Sequence, residues 1–198
     1  MFNDKVVYQI YPKSFKDTSG NGIGDLQGII SELDYLENLG VDMLWLTPIF
    51  ISPQKDNGYD VADYYKVDPL FGTDKDLDEL IKKAKDRKMD IMFDMVLNHS
   101  STEHEWFQKA LSGDKKYQDY YFFTKDKVNW QSKFGGSAFE YVESLGLYYL
   151  HLFDKTQADL NWENEEVFED LCKIVNYWLE KGVRGFRFDV INLISKPD

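Results

Sequence analysis

The sequence predicts an α/β fold, the N-terminal half of a (β/α)8 TIM barrel (strands 1-4), with a small subdomain inserted after the third strand. Three observations carry this reading. Apolar strand-like runs alternate with amphipathic helical stretches, the order of βαβ units on a parallel sheet. Four such units follow one another. Between the third and fourth, from His99 to about Asn161, the helical period weakens and Gly, Ser, Asn and Tyr become frequent. A complete barrel takes about 250 residues without insertions, and this chain has 198, so it is expected not to close. The abrupt stop at Ser195-Lys-Pro-Asp198 favours a piece of a longer chain over a half that pairs with another molecule.

The first strand is read at Val6 to Tyr11. A Gly-rich loop, Asp17 to Asp25, leads into a helix whose apolar positions Leu26, Ile29, Ile30, Leu33, Leu36 and Leu39 recur near every 3.6 residues, with Gly40 as its stop. Val41 to Leu46 is nearly all apolar, as a strand covered on both faces should be. A polar and aromatic loop runs on to Gly72. Thr73 then caps a helix with Leu77, Leu80, Ile81 and Ala84 on one face and Lys85, Arg87 and Lys88 at its end, which suits the helix dipole. The third strand is Asp90 to Leu97. Within the insertion, short alternating segments such as Leu147 to Phe153 look like small strands. Asn164 is placed to cap a helix bearing Val167, Leu171, Ile174, Val175, Trp178 and Leu179 and stopped at Gly182, before a fourth strand from Val183 to Ile191. The expected domains are therefore 1–99, barrel units one to three; 100–163, the inserted subdomain; and 164–198, the return to the barrel.

Hydrophobic residues make up 43% of the chain, which excludes a disordered tail. A net charge of −12 argues against a nucleic-acid partner, because phosphate binding needs clustered Lys and Arg. Cys172 is the single cysteine, so a disulfide framework is excluded and a reducing compartment is expected. No run approaches the roughly 18 apolar residues of a membrane span, and the opening residues lack a signal-peptide pattern. The chain reads as cytoplasmic, with no membrane partner.

Functional groups of such a barrel stand at the C-terminal ends of its strands. Here those ends are polar. Strand three ends Asp94-Met-Val-Leu-Asn98-His99, strand four ends Gly185-Phe-Arg187-Phe-Asp189, and the loop after strand two holds Asp56-Asn-Gly-Tyr59-Asp60. Carboxylates at the mouth of an apolar barrel are costly unless cations pair with them, which marks a functional cluster. Arg187 and Asp189 lie two apart on one strand, so their side chains share a face. Arg187 would keep Asp189 ionised, as the nucleophile of a retaining glycosidase must be. A structural ion pair that only supports the barrel would look the same in isolation.

The three segments together resemble the α-amylase family of glycoside hydrolases. Asp94 to His99 matches its D-x-V-x-N-H region, Gly185 to Asp189 its G-F-R-x-D region, and Gln157-Ala-Asp-Leu-Asn161 the short motif that closes its inserted subdomain. The resemblance covers the whole chain. It implies Asp189 as nucleophile, Arg187 as the residue orienting it, His99 as a hydrogen-bond partner of the sugar at the cleaved bond, Tyr59 as the platform beneath that sugar, and Asp60 as an acidic contact to its non-reducing end. Asp94 and Asn98 are implied as support, one fixing Arg187 and the other tying down the loop. The family's general acid, a Glu after the fifth strand, and a further Asp after the seventh would both lie beyond Asp198. Neither Glu140 nor Glu143 in the insertion has a position to replace the acid, so the chain alone is expected to have little or no activity.

Within the family, Val190-Ile-Asn-Leu-Ile-Ser resembles the oligo-1,6-glucosidases and the phosphotrehalose hydrolases, whereas relatives acting on α-1,4 links carry a smaller or polar residue than Val190. The segments Trp130 to Ala138, Thr156 to Asn164 and Tyr11-Pro-Lys-Ser-Phe15 resemble the phosphotrehalose group more closely. The implied substrate is a small sugar or sugar phosphate, with trehalose 6-phosphate first and isomalto-oligosaccharides as the alternative. A 6-phosphate needs cationic partners, and Lys133 is a candidate beside the plainer reading of a solvated surface lysine. The resemblance requires no cofactor. Relatives bind Ca2+ in the loop here spanning Asp17, Asn21, Ile23 and Asp25, where the alternative is a plain Gly-rich turn held by Asp side chains. A non-catalytic relative, such as a transporter-associated ectodomain, would lack the nucleophile or carry a membrane segment; this sequence keeps Asp189, Arg187 and His99.

Overall fold

The computed structural model describes residues 4–196. These fall into two compact units: one built from the residues up to Ile51, Tyr65–Met95 and Val175–Arg187, the other from Ser52–Tyr64, Val96–Ile174 and the residues from Phe188 onward.

The first unit holds a four-stranded sheet of β1 (Val7–Ile10), β2 (Met43–Leu46), β3 (Asp90–Val96) and β4 (Gly185–Asp189), in that order across the sheet. β1 and β2 run parallel with Val7 opposite Met43, and β2 and β3 run parallel with Met43 opposite Asp90. Sequential strands lying side by side, each pair joined by a helical crossover, is the arrangement the alternating pattern implied. Only Trp45 of β2 escapes full burial, in keeping with its unbroken apolar run.

The helices bury most of their predicted faces, but Leu39 and Leu179, which the period placed on them, are exposed near the helix ends, and one helix breaks. Leu26, Ile29, Leu33 and Leu36 are all fully buried, but the expected single helix is two, Leu26–Ser31 and Leu33–Asn38. Glu32 leaves helical geometry at φ −103° and ψ 6°, and its N–H reaches both Ile29 O and Ile30 O. Such a local tightening leaves the apolar spacing intact, so periodicity cannot reveal it. Thr73 caps Asp74–Asp86 through a reciprocal box with Asp76. Around this frame Phe50, Phe93 and Trp178 pack edge to face or tilted, with ring centroids 5.1 to 5.6 Å apart. In the Gly-rich loop a side chain at Gly24 would put a Cβ 2.0 Å from Pro12 O, so only glycine allows that approach.

In the second unit, Phe123–Thr124, Leu147–Leu150 and Phe139–Val142 form a three-stranded antiparallel sheet, with Leu147–Leu150 central. Its small core is Ala138, Phe139 and Leu150, covered by Phe122, Trp130, Tyr148 and Leu152. Two short helices that the weak period did not announce, Glu105–Leu111 and Lys115–Gln118, begin at His104 and Asp114. Each is too short for a period to show, and each is fixed by a side-chain cap: His104 Nδ1 accepts from Trp106 N and Asp114 Oδ1 from Lys116 N. His99–Ser101 pairs antiparallel with Gln157–Asp159, setting His99 opposite Asp159. Two motifs 58 residues apart are joined directly by this ladder, as the Gln157 to His99 contact also records. Asn164 Oδ1 accepts from Glu166 N at the start of the helix Glu165–Glu180, as its sequence position predicted. Among the described residues no helix is long and apolar enough to cross a membrane.

Candidate active site

Within the first unit, Asp94 and Arg187 meet. Arg187 donates from Nη1 to Asp94 Oδ1 at 2.9 Å, and Trp45 Nε1 donates to Asp94 Oδ2 at 3.2 Å. The Asp94 side chain is fully buried while Arg187 is 38% exposed, and its guanidinium lies 5.4 Å from the centre of the Trp45 ring. A buried carboxylate is tolerable here because both oxygens accept from strong donors. Asp94 thus holds the Arg187 guanidinium through one hydrogen bond. Trp45 was not singled out in the sequence; a lone N–H-bearing residue in an otherwise aliphatic strand was the available signal.

β4 ends at Asp189 rather than Ile191. Val190 takes the left-handed conformation, φ 40° and ψ 34°, and the chain turns at once into a short 3-10 helix, Ile191–Leu193. A β-branched residue in that region is strained by about 1–2 kcal/mol. The half-buried Asp189 therefore stands at a sharp strand-to-turn corner.

The second unit builds an enclosed network around His99. The imidazole is 1% exposed. Its Nδ1 lies 3.1 Å from Asn98 Nδ2 and its Nε2 lies 3.1 Å from Tyr59 O. Asn98 Nδ2 also donates to Asp159 Oδ1 at 3.0 Å, and Lys196 Nζ lies 2.7 Å from both Asn98 Oδ1 and Asp159 Oδ1. Gln157 Nε2 donates to Asp56 Oδ2 at 2.9 Å and sits 3.1 Å from His99 Nε2. The Phe153 ring packs on the imidazole at 5.1 Å. Burial pushes the His99 imidazole below its ordinary pKa, while Asp159, Asp189 and Asp56 pull the other way. Burial likewise pushes the Asp56 carboxyl up, against the hydrogen bond from Gln157. Asp60 is fully buried and organises its own loop, accepting from Ser52 Oγ and Lys55 N at 2.8 Å and from Asp56 N at 3.1 Å. Lys196 was missed in the sequence because a lysine after a strand gives no sign of burial, and Phe153 because it ends an ordinary alternating run.

Lys133 is exposed, and its backbone N–H donates to Leu152 O at 2.7 Å. Glu140 and Glu143 are exposed on and beside the hairpin strand Phe139–Val142. In the Gly-rich loop, Asp17 accepts from the backbone N–H groups of Ser19, Gly20 and Gly22, which hold its carboxyl below the usual range. Asp25 accepts from Thr18 and caps Gly28 N, and Asn21 Oδ1 accepts from Ile23 N. These oxygens suit Ca2+ in kind, but each already serves the loop's own donors. Among the described residues no group of three or more His, Cys, Asp or Glu could hold a metal ion.

A parallel sheet of successive strands, a small antiparallel sheet in the second unit and the polar motifs Asp94–His99 and Gly185–Asp189 are those of an α-amylase-type barrel domain. The alpha amylase catalytic domain matches residues 9–198, and the chain belongs to that family. It is 58% identical to the trehalose-6-phosphate hydrolase of Bacillus subtilis over 96% of its own length, and 52% identical to the oligo-1,6-glucosidase of Bacillus cereus over 100% of it. The crystal structure of Bacillus licheniformis trehalose-6-phosphate hydrolase superposes with a TM-score of 0.94 at 54% identity over 97% of the chain. The trehalulose synthase of Pseudomonas mesoacidophila superposes at 0.95 with 47% identity over 97%. The chain spans only 35% to 36% of the length of these proteins, so its fold is the N-terminal part of their barrel.

Proposed function

We propose that the full-length protein hydrolyses α-glucosides with retention, and that trehalose 6-phosphate is its substrate, yielding glucose and glucose 6-phosphate. The observation that carries this reading is the strand Gly185–Asp189, on which Arg187, fixed by the buried Asp94, precedes Asp189 by two positions. Asp189 attacks the anomeric carbon, and the glycosidic bond breaks as its oxygen takes a proton from a general acid outside residues 1–198. Water then releases the sugar from Asp189 as that acid's conjugate base removes a proton. Arg187 orients the nucleophile and favours its ionised form. His99, Tyr59 and Asp60 hold the sugar at the cleaved bond; His99 would share its Nε2–H between Tyr59 O and the sugar. The chain by itself is inactive on this reading, residues 100–163 act as the inserted subdomain that helps shape the substrate pocket, and the protein works in the cytoplasm without nucleic-acid or membrane partners.

The similarity to the Bacillus subtilis phosphotrehalose hydrolase supports the substrate, and the full-chain similarity to the Bacillus cereus enzyme supports a second reading, an oligo-1,6-glucosidase. Assay of the full-length protein on trehalose 6-phosphate, isomaltose and maltose separates them: fastest turnover is expected on the first, and none on it would sink the substrate assignment. Lys133 is proposed to meet the 6-phosphate, so Lys133→Ala should reduce the preference for phosphorylated over plain trehalose by roughly tenfold; an unchanged preference removes that role. The loop from Asp17 to Asp25 is proposed as a self-supported turn that can accept Ca2+, and a calorimetric titration showing no heat would rule the ion out.

A further inference from the structure

We propose that Lys196 is a positioning residue which, by orienting Asn98, leaves Nδ1 of His99 without a proton and so commits the imidazole to donate from Nε2. The chain of contacts fixes each hydrogen in turn. An ammonium carries donors only, so the Asn98 atom 2.7 Å from Lys196 Nζ is the amide oxygen. The amide nitrogen then spends its two hydrogens on Asp159 Oδ1 at 3.0 Å and on His99 Nδ1 at 3.1 Å, and Nδ1 must accept. The other edge of the ring does not decide the tautomer. Nε2 has an acceptor, Tyr59 O, and a donor, Gln157 Nε2, both at 3.1 Å, and either could be served. The choice rests on Nδ1, and through Asn98 on Lys196.

The charge of Lys196 matters as much as its reach. Its side chain is 5% exposed and that of Asp159 is 0%, so water neither screens nor replaces the pair. Without the ammonium, the Asn98 amide oxygen loses the donor that holds it in place. The amide can then turn over and present its oxygen to His99 Nδ1. The groups that act on the ring by charge, Asp159, Asp189 and Asp56, all favour the imidazolium. The Asn98 N–H at Nδ1 opposes them. Lys196 thereby keeps a neutral, singly oriented histidine beside three carboxylates, which deepens the sugar-binding role proposed for His99 and rests on it only for its use.

The chain has three histidines, so nitrogen NMR of the 198-residue protein labelled at histidine resolves the ring of His99, with His104 and His151 reporting on the fold. Wild type should show a bare Nδ1 and a protonated Nε2. In Lys196→Met, with the other two rings unchanged, Nδ1 should carry the proton in more than half of the molecules; a His99 that keeps a bare Nδ1 overturns the inference. Should Lys196→Met not fold, Lys196→Gln decides, since a neutral amide no longer obliges Asn98 to present its oxygen: a rise in Nδ1 protonation supports the relay and a wild-type bare Nδ1 refutes it. No sugar is present in either measurement. A missing glycosidase activity would therefore leave the result standing, and a failed relay would leave the glycosidase reading untouched.

Discussion

Two buried carboxylates, one in each unit, are neutralised in different ways. Asp94 pairs with Arg187, which is 38% exposed, whereas Asp159 pairs with Lys196, which is 5% exposed. In the first pair the guanidinium is part-exposed beside the Trp45 ring, with Trp45 supplying the second bond to Asp94. In the second both charges are enclosed, and their hydrogen bonds go to Asn98, to each other, and to the backbone at Leu193 O and Leu152 N. An ion pair with one open member can be borrowed by a substrate. A sealed pair can only hold its surroundings in place, and its removal should appear in stability before it appears in rate.

Breaking the sealed pair should give the largest effect. Asp159→Ala strands Lys196 and leaves Leu152 N without its acceptor at 2.7 Å, so chemical unfolding should show a loss of about 3–5 kcal/mol. A loss under about 1 kcal/mol would erase the distinction. A third buried group sharpens the contrast, because burial of His104 outweighs the pull of Asp63 and Glu105. Burial pushes its imidazole down to about 4 from 6.5. A depressed histidine binds its proton more readily unfolded, so its stabilisation is complete above pH 6.5 and is lost as pH falls towards 4. The span is about 3 kcal/mol. His104→Asn, which retains a capping acceptor, should flatten the unfolding free energy between pH 6.5 and 4; an unchanged slope would clear His104 of the effect. Next comes the open pair. Asp94→Asn in the full-length protein should lower kcat about 100-fold with a stability change near 1 kcal/mol, since water can serve Arg187. Equal losses in both readouts would make it a second sealed pair. The smallest effect belongs to Val190→Gly, which removes left-handed strain of about 1–2 kcal/mol and adds roughly 0.5–1 kcal/mol of chain entropy cost. A net gain below about 1 kcal/mol in melting experiments is expected, and a clear loss would show that the Val190 side chain packs too well to spare.

The frame was legible because its signals are periodic or punctual. Leu77, Leu80 and Ala84 repeat at helical spacing, Thr73 marks a start, and the motifs Asp94–His99 and Gly185–Asp189 fall within or directly beside strands. What stayed hidden is non-periodic. The break at Glu32 costs no apolar position, the helix Lys115–Gln118 is a single turn, and the left-handed Val190 defies its residue type. Trp45 and Lys196 take their roles from partners 49 and 98 residues away, and pairings of that span leave no mark on neighbouring letters. The resemblance implied a sugar contact for Asp60, but its threefold service to the loop from Ser52 to Asp56 was visible only in three dimensions.

The same long spans order events during folding. Gln157 to Asp56 closes 101 residues, Lys196 to Asn98 closes 98, and Arg187 to Asp94 closes 93. Contacts of such separation form slowly, after the local helices and the hairpin of Leu147–Leu150. On the ribosome, Asp159 can be buried with its cation only after residue 196 has been made and has emerged; until then water serves its charge.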